Sequence, residues 1–229
     1  MAESLSSFFE KYKIKPNNSN IYDLAFTHSS FNSEAKTSHH DYERLEFLGD
    51  SVLDFVIAKM LYIAFPDLRE GDLTKTKSFL VQSKTLASIA RKEGFIKYIK
   101  IGHSLNEKDV LQNNSILEDV FEAVVGAIYL DQGINFVSDF IKKIFKEEIE
   151  NFDFSLVTDY KSILQEAMQA EYRESVQYKV VDEKGPPHIK TFYVEVYFND
   201  LLLGKGVGKS KKEAEQMAAK DALDKKAII

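Results

Sequence analysis

The 229-residue sequence contains no cysteine, which excludes a disulfide framework, thiolate zinc ligation and a cysteine nucleophile together. No secretory leader is expected either, since MAESLSSFFEKYKIK carries Glu3 early and has no apolar core. The apolar stretch around residues 45–64 is interrupted by Asp54 and Lys59, so it does not read as a membrane span. These absences lead to the expectation of a cytoplasmic protein with no membrane partner. Internal repeats and low-complexity tracts are also lacking. So is an excess of positive charge, since the net charge is −6, and this argues at first against a polyanionic partner. The total hides an asymmetry. Residues 1–158 hold 18 Lys and Arg against 24 Asp and Glu, whereas residues 159–229 hold 12 of each. Between Leu201 and Lys212 stand Lys205, Lys209, Lys211 and Lys212 with no acid among them, a local basic spot inside a bland sum.

With 44% hydrophobic residues the chain can build a core. Up to about residue 150, apolar residues recur at spacings of three and four, the signature of helices. They run Leu5 to Tyr12, Leu24 to Phe31, the stretch around ERLEFLGDSVLDFVIA, Asp72 to Ala90, Ile116 to Leu130 and Phe136 to Phe145. Asp72 after Gly71 is expected to cap one helix, and Ser115 with Glu118 to form a capping box for another. The pattern then changes. A helix over Tyr160 to Ala170 precedes an extended Val176 to Val181, and in KTFYVEVYFND Phe192, Val194, Val196 and Phe198 alternate with polar or exposed positions. Asn199-Asp200 turns into Leu201 to Val207, and Ser210 caps a last helix with inner face Ala214, Met217, Ala218 and Ala222. The expected architecture is an all-α domain over 1–150, a linker over 151–158 and a small α-β-β-β-α domain over 159–229.

One feature of the helical half needs a physical explanation. Glu43, Glu46, Asp50 and Asp54 lie among seven apolar residues, and at 100° per residue they fall within an arc of roughly 80° on one helix. At ~1.5 Å rise per residue, Glu46 and Asp50 are ~6 Å apart along the axis, but Asp54 lies ~12 Å beyond Glu46, too far to share an ion with it. A second acidic face appears in SILEDVFEAVVGAIYLD, where Asp119 and Glu122 stand beside Ala123 and Gly126. Gly49 has the same relation to Glu46 and Asp50. A glycine inside a helix costs on the order of 1 kcal/mol relative to alanine, so two of them next to carboxylate pairs point to close helix approach. Two such faces brought together would make a cluster of four carboxylates that needs a cation to stay ionised. Hard oxygen donors without cysteine favour Mg²⁺, with Mn²⁺ as a substitute. The alternative is two ordinary solvated faces.

ERLEFLGDS, at residues 43–51, resembles the signature of the ribonuclease III family. LAFTHSSF, FPDLREGDLT and SILEDVFEAVVGAIYLD follow the family's order, and GPPHIKTFYVEV with GKGVGKSKKEAEQMAAKDAL resembles a double-stranded RNA-binding domain. The resemblance implies an endonuclease that hydrolyses phosphodiester bonds in double-stranded RNA, leaving 5′-phosphate and 3′-hydroxyl ends with short 3′ overhangs, in rRNA and other transcript processing. It implies that Glu46, Asp50, Asp119 and Glu122 hold the metal, with Asp50 and Glu122 as the catalytic pair and Glu43 and Glu70 in support. Two-fold duplex symmetry and the family both imply a homodimer, with Phe47 at its interface. In the tail, the resemblance assigns RNA contacts to Gln165 and Glu166, to His188, and to Lys209, Lys211 and Lys212. One departure is NEKDVLQNN, where many bacterial relatives have a glycine- and basic-rich segment. His28, His39, His40 and His103 are read as structural or surface residues. Two rival readings are an RNA-binding protein with a decayed nuclease and a helical phosphohydrolase acting on nucleotides. The first would be favoured by loss of any of the four carboxylates, and the second needs no duplex-binding tail.

Overall fold

The computed structural model describes residues 3–31, 41–103, 105–154, 157–186 and 189–225. The chain forms two compact units, Met1–Phe154 and Ser155–Ile229. The first contains α1 (Ser6–Tyr12), α2 (Ser19–Ala25), α3 (Glu43–Ala64), α4 (Glu70–Leu80), α5 (Ser83–Glu93), a 3₁₀ turn (Phe95–Tyr98), α6 (Glu107–Gln112), α7 (Asn114–Ile144) and α8 (Lys146–Glu150). Its centre is the packing of α3 on α7. Leu53, Val56, Ile57 and Leu61 from α3 meet Leu117, Val120, Phe121 and Val124 from α7 in one core, all essentially inaccessible. Among the described helices, α7 alone is long and apolar enough to cross a membrane; its apolar face is spent on this core instead. Phe8 anchors the amino-terminal segment through ring contacts with Phe9, Tyr12, Tyr22, Phe26, Phe95 and Tyr98. The Asp131 carboxylate ties the same segment to α7 by accepting from the backbone N–H groups of Asn17 and Asn18, from Tyr22 Oη and from Gln132 Nε2.

Several local expectations are corrected. Asp72 does not cap its helix: α4 starts at Glu70, and Asp72 sits buried in its first turn. The apolar spacing that suggested one helix over Asp72 to Ala90 spans two, because the chain breaks between Leu80 and Ser83, with Thr85 Oγ1 donating to the Phe79 carbonyl. Ser115 and Glu118 form no capping box. Asn113 caps α7 by accepting from Ser115 and Ile116 N–H, and the box is found at Asn106 and Asp109 on α6, inside the NEKDVLQNN segment. The helix expected over Leu24 to Phe31 is interrupted: α2 ends at Ala25, Thr27 pairs with Lys100 in an isolated parallel bridge, and residues 29–31 are helical again. The two apolar runs of residues 116–145 are one element interrupted at Gly133, whose φ of 81° breaks the helical geometry; an L side chain there would be strained. Chain packing on the first unit continues through Phe154, whose ring meets those of Phe65 and Phe152.

The second unit is α9 (Tyr160–Tyr172), β1 (Gln177–Lys184), β2 (Thr191–Phe198), β3 (Leu201–Gly208) and α10 (Lys211–Asp224), an antiparallel sheet in the order β1-β2-β3 with both helices packed on it or on each other. Val194 and Val196 point inward from β2, as their alternation predicts. On β3 every second residue from Gly204 to Gly208 is glycine. A Cβ added at Gly204 or Gly206 would lie 2.5 Å from the Ala218 carbonyl oxygen or 2.1 Å from that of Ala214. The α10 backbone therefore rests directly on the strand, and only Ala214, Ala218, Ala219 and Ala222 fit between them. For that reason Met217, expected on the inner face, is 39% exposed. Helices α9 and α10 are joined by a polar seam: Lys161 pairs with Glu215, Gln216 Oε1 accepts from Lys161 N–H, and Gln216 Nε2 donates to Asp159.

Candidate active site

Where α3 and α7 meet, glycine faces glycine. A Cβ on Gly49 would stand 1.7 Å from the Glu122 carbonyl oxygen, and one on Gly126 would stand 2.3 Å from that of Leu45. No side chain fits there, so the backbones touch and the residues flanking the glycines are brought side by side. Those residues are Glu46 and Asp50 on α3 and Asp119 and Glu122 on α7.

The electrostatics record the crowding. Glu122 is 8% exposed, and its carboxyl is pushed up to about 8 by burial first, then by the charges of Asp50, Glu118, Glu46 and Asp119. Glu46 is raised to about 7, again by burial and then by Asp119, Glu43, Glu118 and Asp50. Burial also raises Asp119, opposed by a hydrogen bond from Tyr42, whose hydroxyl donates to Asp119 Oδ2 at 3.1 Å. Glu46, Asp119 and Glu122 thus stand among other carboxylates with too little water to screen them, while Asp50 lies exposed at the edge of the group. Among the described residues, no three His, Asp or Glu side chains make a ready metal shell. The donor set is open and consists of oxygen only. That fits a hard dication such as Mg²⁺, which keeps several waters and takes few carboxylates together with phosphate oxygens.

Other acidic residues separate clearly from this group. Glu43 is exposed at the start of α3 and contributes to the charge on Glu46. Glu70 is not brought to the cluster: it opens α4, accepts from Thr74 Oγ1 at 2.9 Å and is not among the main charges acting on Glu46 or Glu122. Asp54 is neutralised by Lys77 of α4, with N and O 2.5 Å apart. Phe47 is 78% exposed and so no part of the core. Sequence spacing missed three participants, Tyr42, Glu118 and Lys77. The first two flank the acidic stretches directly, which was a usable signal; Lys77 is joined to Asp54 only by the packing of two helices.

In the second unit Gln165 and Glu166 lie on α9 beside an open depression shared with Lys161, Ser162 and Tyr178. Lys209, Lys211 and Lys212 are exposed around the start of α10. That end is fixed by a reciprocal cap in which Ser210 Oγ accepts from Glu213 N–H and Glu213 Oε2 accepts from Lys209 N–H. Lys211 pairs with Glu183 at 3.4 Å, whereas Lys209 and Lys212 have no ion pair among the described residues. His188, His39 and His40 lie outside the described residues. His28 has a structural environment, with Nδ1 accepting from the Ser30 N–H.

Comparison with known proteins matches both units. The Ribonuclease-III-like family profile covers residues 18–149, and the double-stranded RNA binding motif covers residues 160–226. Ribonuclease 3 from Streptococcus pyogenes serotype M2 (strain MGAS10270) is 42% identical over 226 residues, 97% of this chain and 96% of that protein. The corresponding protein of serotype M1 is 41% identical over the same length. Among solved structures, the nuclease domain of ribonuclease III from Campylobacter jejuni superposes with a TM-score of 0.59 at 30% identity, covering 64% of this chain and 99% of that one. That structure is described as flexible in a region involved in dimer formation.

Proposed function

Since the chain belongs to the ribonuclease III family and is a double-strand-specific endoribonuclease, we propose that it cuts RNA duplexes with Mg²⁺ held by Glu46, Asp50, Asp119 and Glu122. The products are 5′-phosphate and 3′-hydroxyl ends, and the setting is cytoplasmic processing of rRNA and other structured transcripts. Residues 1–150 act as the nuclease domain, 151–158 as the linker and 159–229 as the RNA-binding domain. The observation that carries the reading is the glycine-to-glycine meeting of α3 and α7, which crowds carboxylates whose protons a dication would displace.

A carboxylate-held dication acidifies water and offsets charge on the phosphate. The protein's part is to fix geometry. Gly49 and Gly126 set the helix separation, Asp50 and Glu122 face the reacting phosphate, and Glu46 and Asp119 complete the ring of negative charge. Glu43 and Glu70 act in support, Glu70 from outside the group formed within one chain. Gln165, Glu166 and His188 meet successive minor grooves, while Lys209, Lys211 and Lys212 reach the phosphates between them, aided by the partial positive charge of the α10 amino terminus. The test is cleavage of long duplex RNA with Mg²⁺, Ca²⁺ or EDTA. Cutting is expected with Mg²⁺, with Mn²⁺ as a working substitute, and none with EDTA; equal cutting in EDTA would refute the metal assignment.

Two strands need two sites, and we place a homodimer contact on α3. Phe47, Phe55 and Tyr62 are 78, 57 and 74% exposed and fall within roughly 80° of helix arc, an apolar stripe next to the acidic face. Phe47→Ala is expected to weaken dimerisation by roughly 10–100-fold, the loss typical of a central aromatic contact. Sedimentation velocity across a dilution series reads this directly, and an unchanged dimer would remove Phe47 from the interface.

A further inference from the structure

We propose that Tyr42 is a positioning residue for the cleavage reaction, holding the Asp119 carboxylate of α7 in register with Glu46 of α3. The inference rests on the reading that Asp119 belongs to the metal-binding set. Tyr42 holds both helices at once. Its carbonyl accepts from the N–H groups of Leu45 and Glu46 at 2.8 and 2.9 Å, fixing the first turn of α3. Its hydroxyl reaches across to α7 and donates to Asp119 Oδ2 at 3.1 Å, 77 residues further along the chain.

The ring between these two contacts is itself immobilised. Tyr42 is 4% exposed, and its N–H donates to the Thr27 carbonyl at 3.1 Å. His28 packs edge-on against the ring at 5.7 Å. The His28 N–H in turn donates to the Lys100 carbonyl, and Ser30 Oγ bonds both His28 Nδ1 and the Gly102 N–H. A chain of fixed groups thus runs from the bridge at Thr27 and Lys100 to one oxygen of Asp119. Buried polar groups of this kind are restricted to a single arrangement because the alternatives leave them unpaired. The Tyr42 bond to Oδ2 fixes which way the Asp119 carboxylate faces. An outer partner that fixes a ligating group typically changes metal affinity by about 10–100-fold.

Five full-length proteins test this: wild type, Tyr42→Phe, Tyr42→Leu, Asp119→Asn and the Tyr42→Phe/Asp119→Asn double variant. Mn²⁺ alone is titrated into each by calorimetry, and the Mg²⁺ concentration giving half-maximal duplex cleavage is measured in parallel. Tyr42→Phe is expected to weaken Mn²⁺ binding by about 10-fold and to raise the Mg²⁺ requirement by a similar factor, with the cleavage rate at saturating Mg²⁺ almost unchanged. In the Asp119→Asn background the same substitution is expected to add nothing, because the two groups act as one unit. Tyr42→Leu, which also removes the ring, is expected to lower the melting temperature without weakening Mn²⁺ binding beyond the Tyr42→Phe level. Wild-type Mn²⁺ affinity in Tyr42→Phe, or an equal further loss in the Asp119→Asn background, would overturn the proposal. Wild-type affinity and cleavage in Asp119→Asn would overturn the metal assignment itself, and this inference with it.

Discussion

Glu122→Gln is expected to lower the rate of duplex cleavage by roughly 10³-fold or more, in the range found when a charged group acting at a reaction centre is neutralised. Binding of duplex RNA in Ca²⁺ should persist, because the double-stranded RNA binding motif of residues 160–226 is untouched. The same variant should be more stable than wild type when no metal is present. Glu122 and Glu46 are held at about 8 and about 7 in the folded chain, against 4.5 for a free glutamate. Between those limits the folded state keeps protons that the unfolded chain has already released. Stability of the metal-free protein therefore falls as pH rises from about 4.5 to about 8, the reverse of the usual carboxylate case. Removing the Glu122 charge should recover about 2–4 °C of melting temperature at pH 8, the shift expected per kcal/mol in a protein of this size, and almost nothing at pH 4.5. Mg²⁺ should stabilise wild type more at pH 8 than at pH 5.5, since the cation displaces those protons. Thermal melts over that pH range, with and without Mg²⁺, check all three; a Glu122→Gln variant that cuts at the wild-type rate would take Glu122 out of the chemistry.

Gly49→Ala is expected to be strongly destabilising. The new carbon would lie 1.7 Å from a backbone oxygen of α7 and 3.0 Å from the Gly126 nitrogen, and neither atom can move without moving the helix. Overpacking usually costs about 1–3 kcal/mol, and a clash with two backbones belongs at or above the top of that range. The helices would have to separate, so cleavage should be lost along with stability, even in molecules that remain folded. Gly71→Ala is the control. The same methyl meets nothing within 4 Å there, and within α4 it should be neutral or add up to about 1 kcal/mol by helix propensity. Chemical denaturation of both variants separates the two cases, and similar midpoints would show that α3 and α7 tolerate a wider spacing.

What could be read in advance follows from how local each cause is. The acidic arc of α3 and the Asp119 and Glu122 pair were legible because helical periodicity alone places them, and the nearby glycines were informative because a helix bears them at a cost. The same arithmetic separated Asp54 from Glu46, but not the identity of its partner, since Lys77 reaches it only through the packing of α4. Helix starts were less legible. Asp72 and Ser115 are good caps by type, yet Asn113 lies two residues before Ser115 and starts the helix earlier, accepting from the Ser115 and Ile116 N–H groups. The break after Leu80 carries no proline or glycine to announce it. Tyr42 adjoins the acidic stretch, but its partner Asp119, 77 positions away, is brought to it only by the packing of α7 on α3. Met217 was misplaced because helical periodicity does not reveal the glycine stripe opposite, which admits only methyl groups.

That stripe has a consequence for substrate choice. With backbone seated on backbone along β3, and Lys161, Glu215, Gln216 and Asp159 clamping the two helices to each other, the gap between α9 and the lysine end of α10 is a rigid calliper. Its jaws cannot adjust to the object between them, so the tail should gauge groove width before it senses any base. An A-form duplex is expected to be bound in preference to B-form DNA, whose groove dimensions differ.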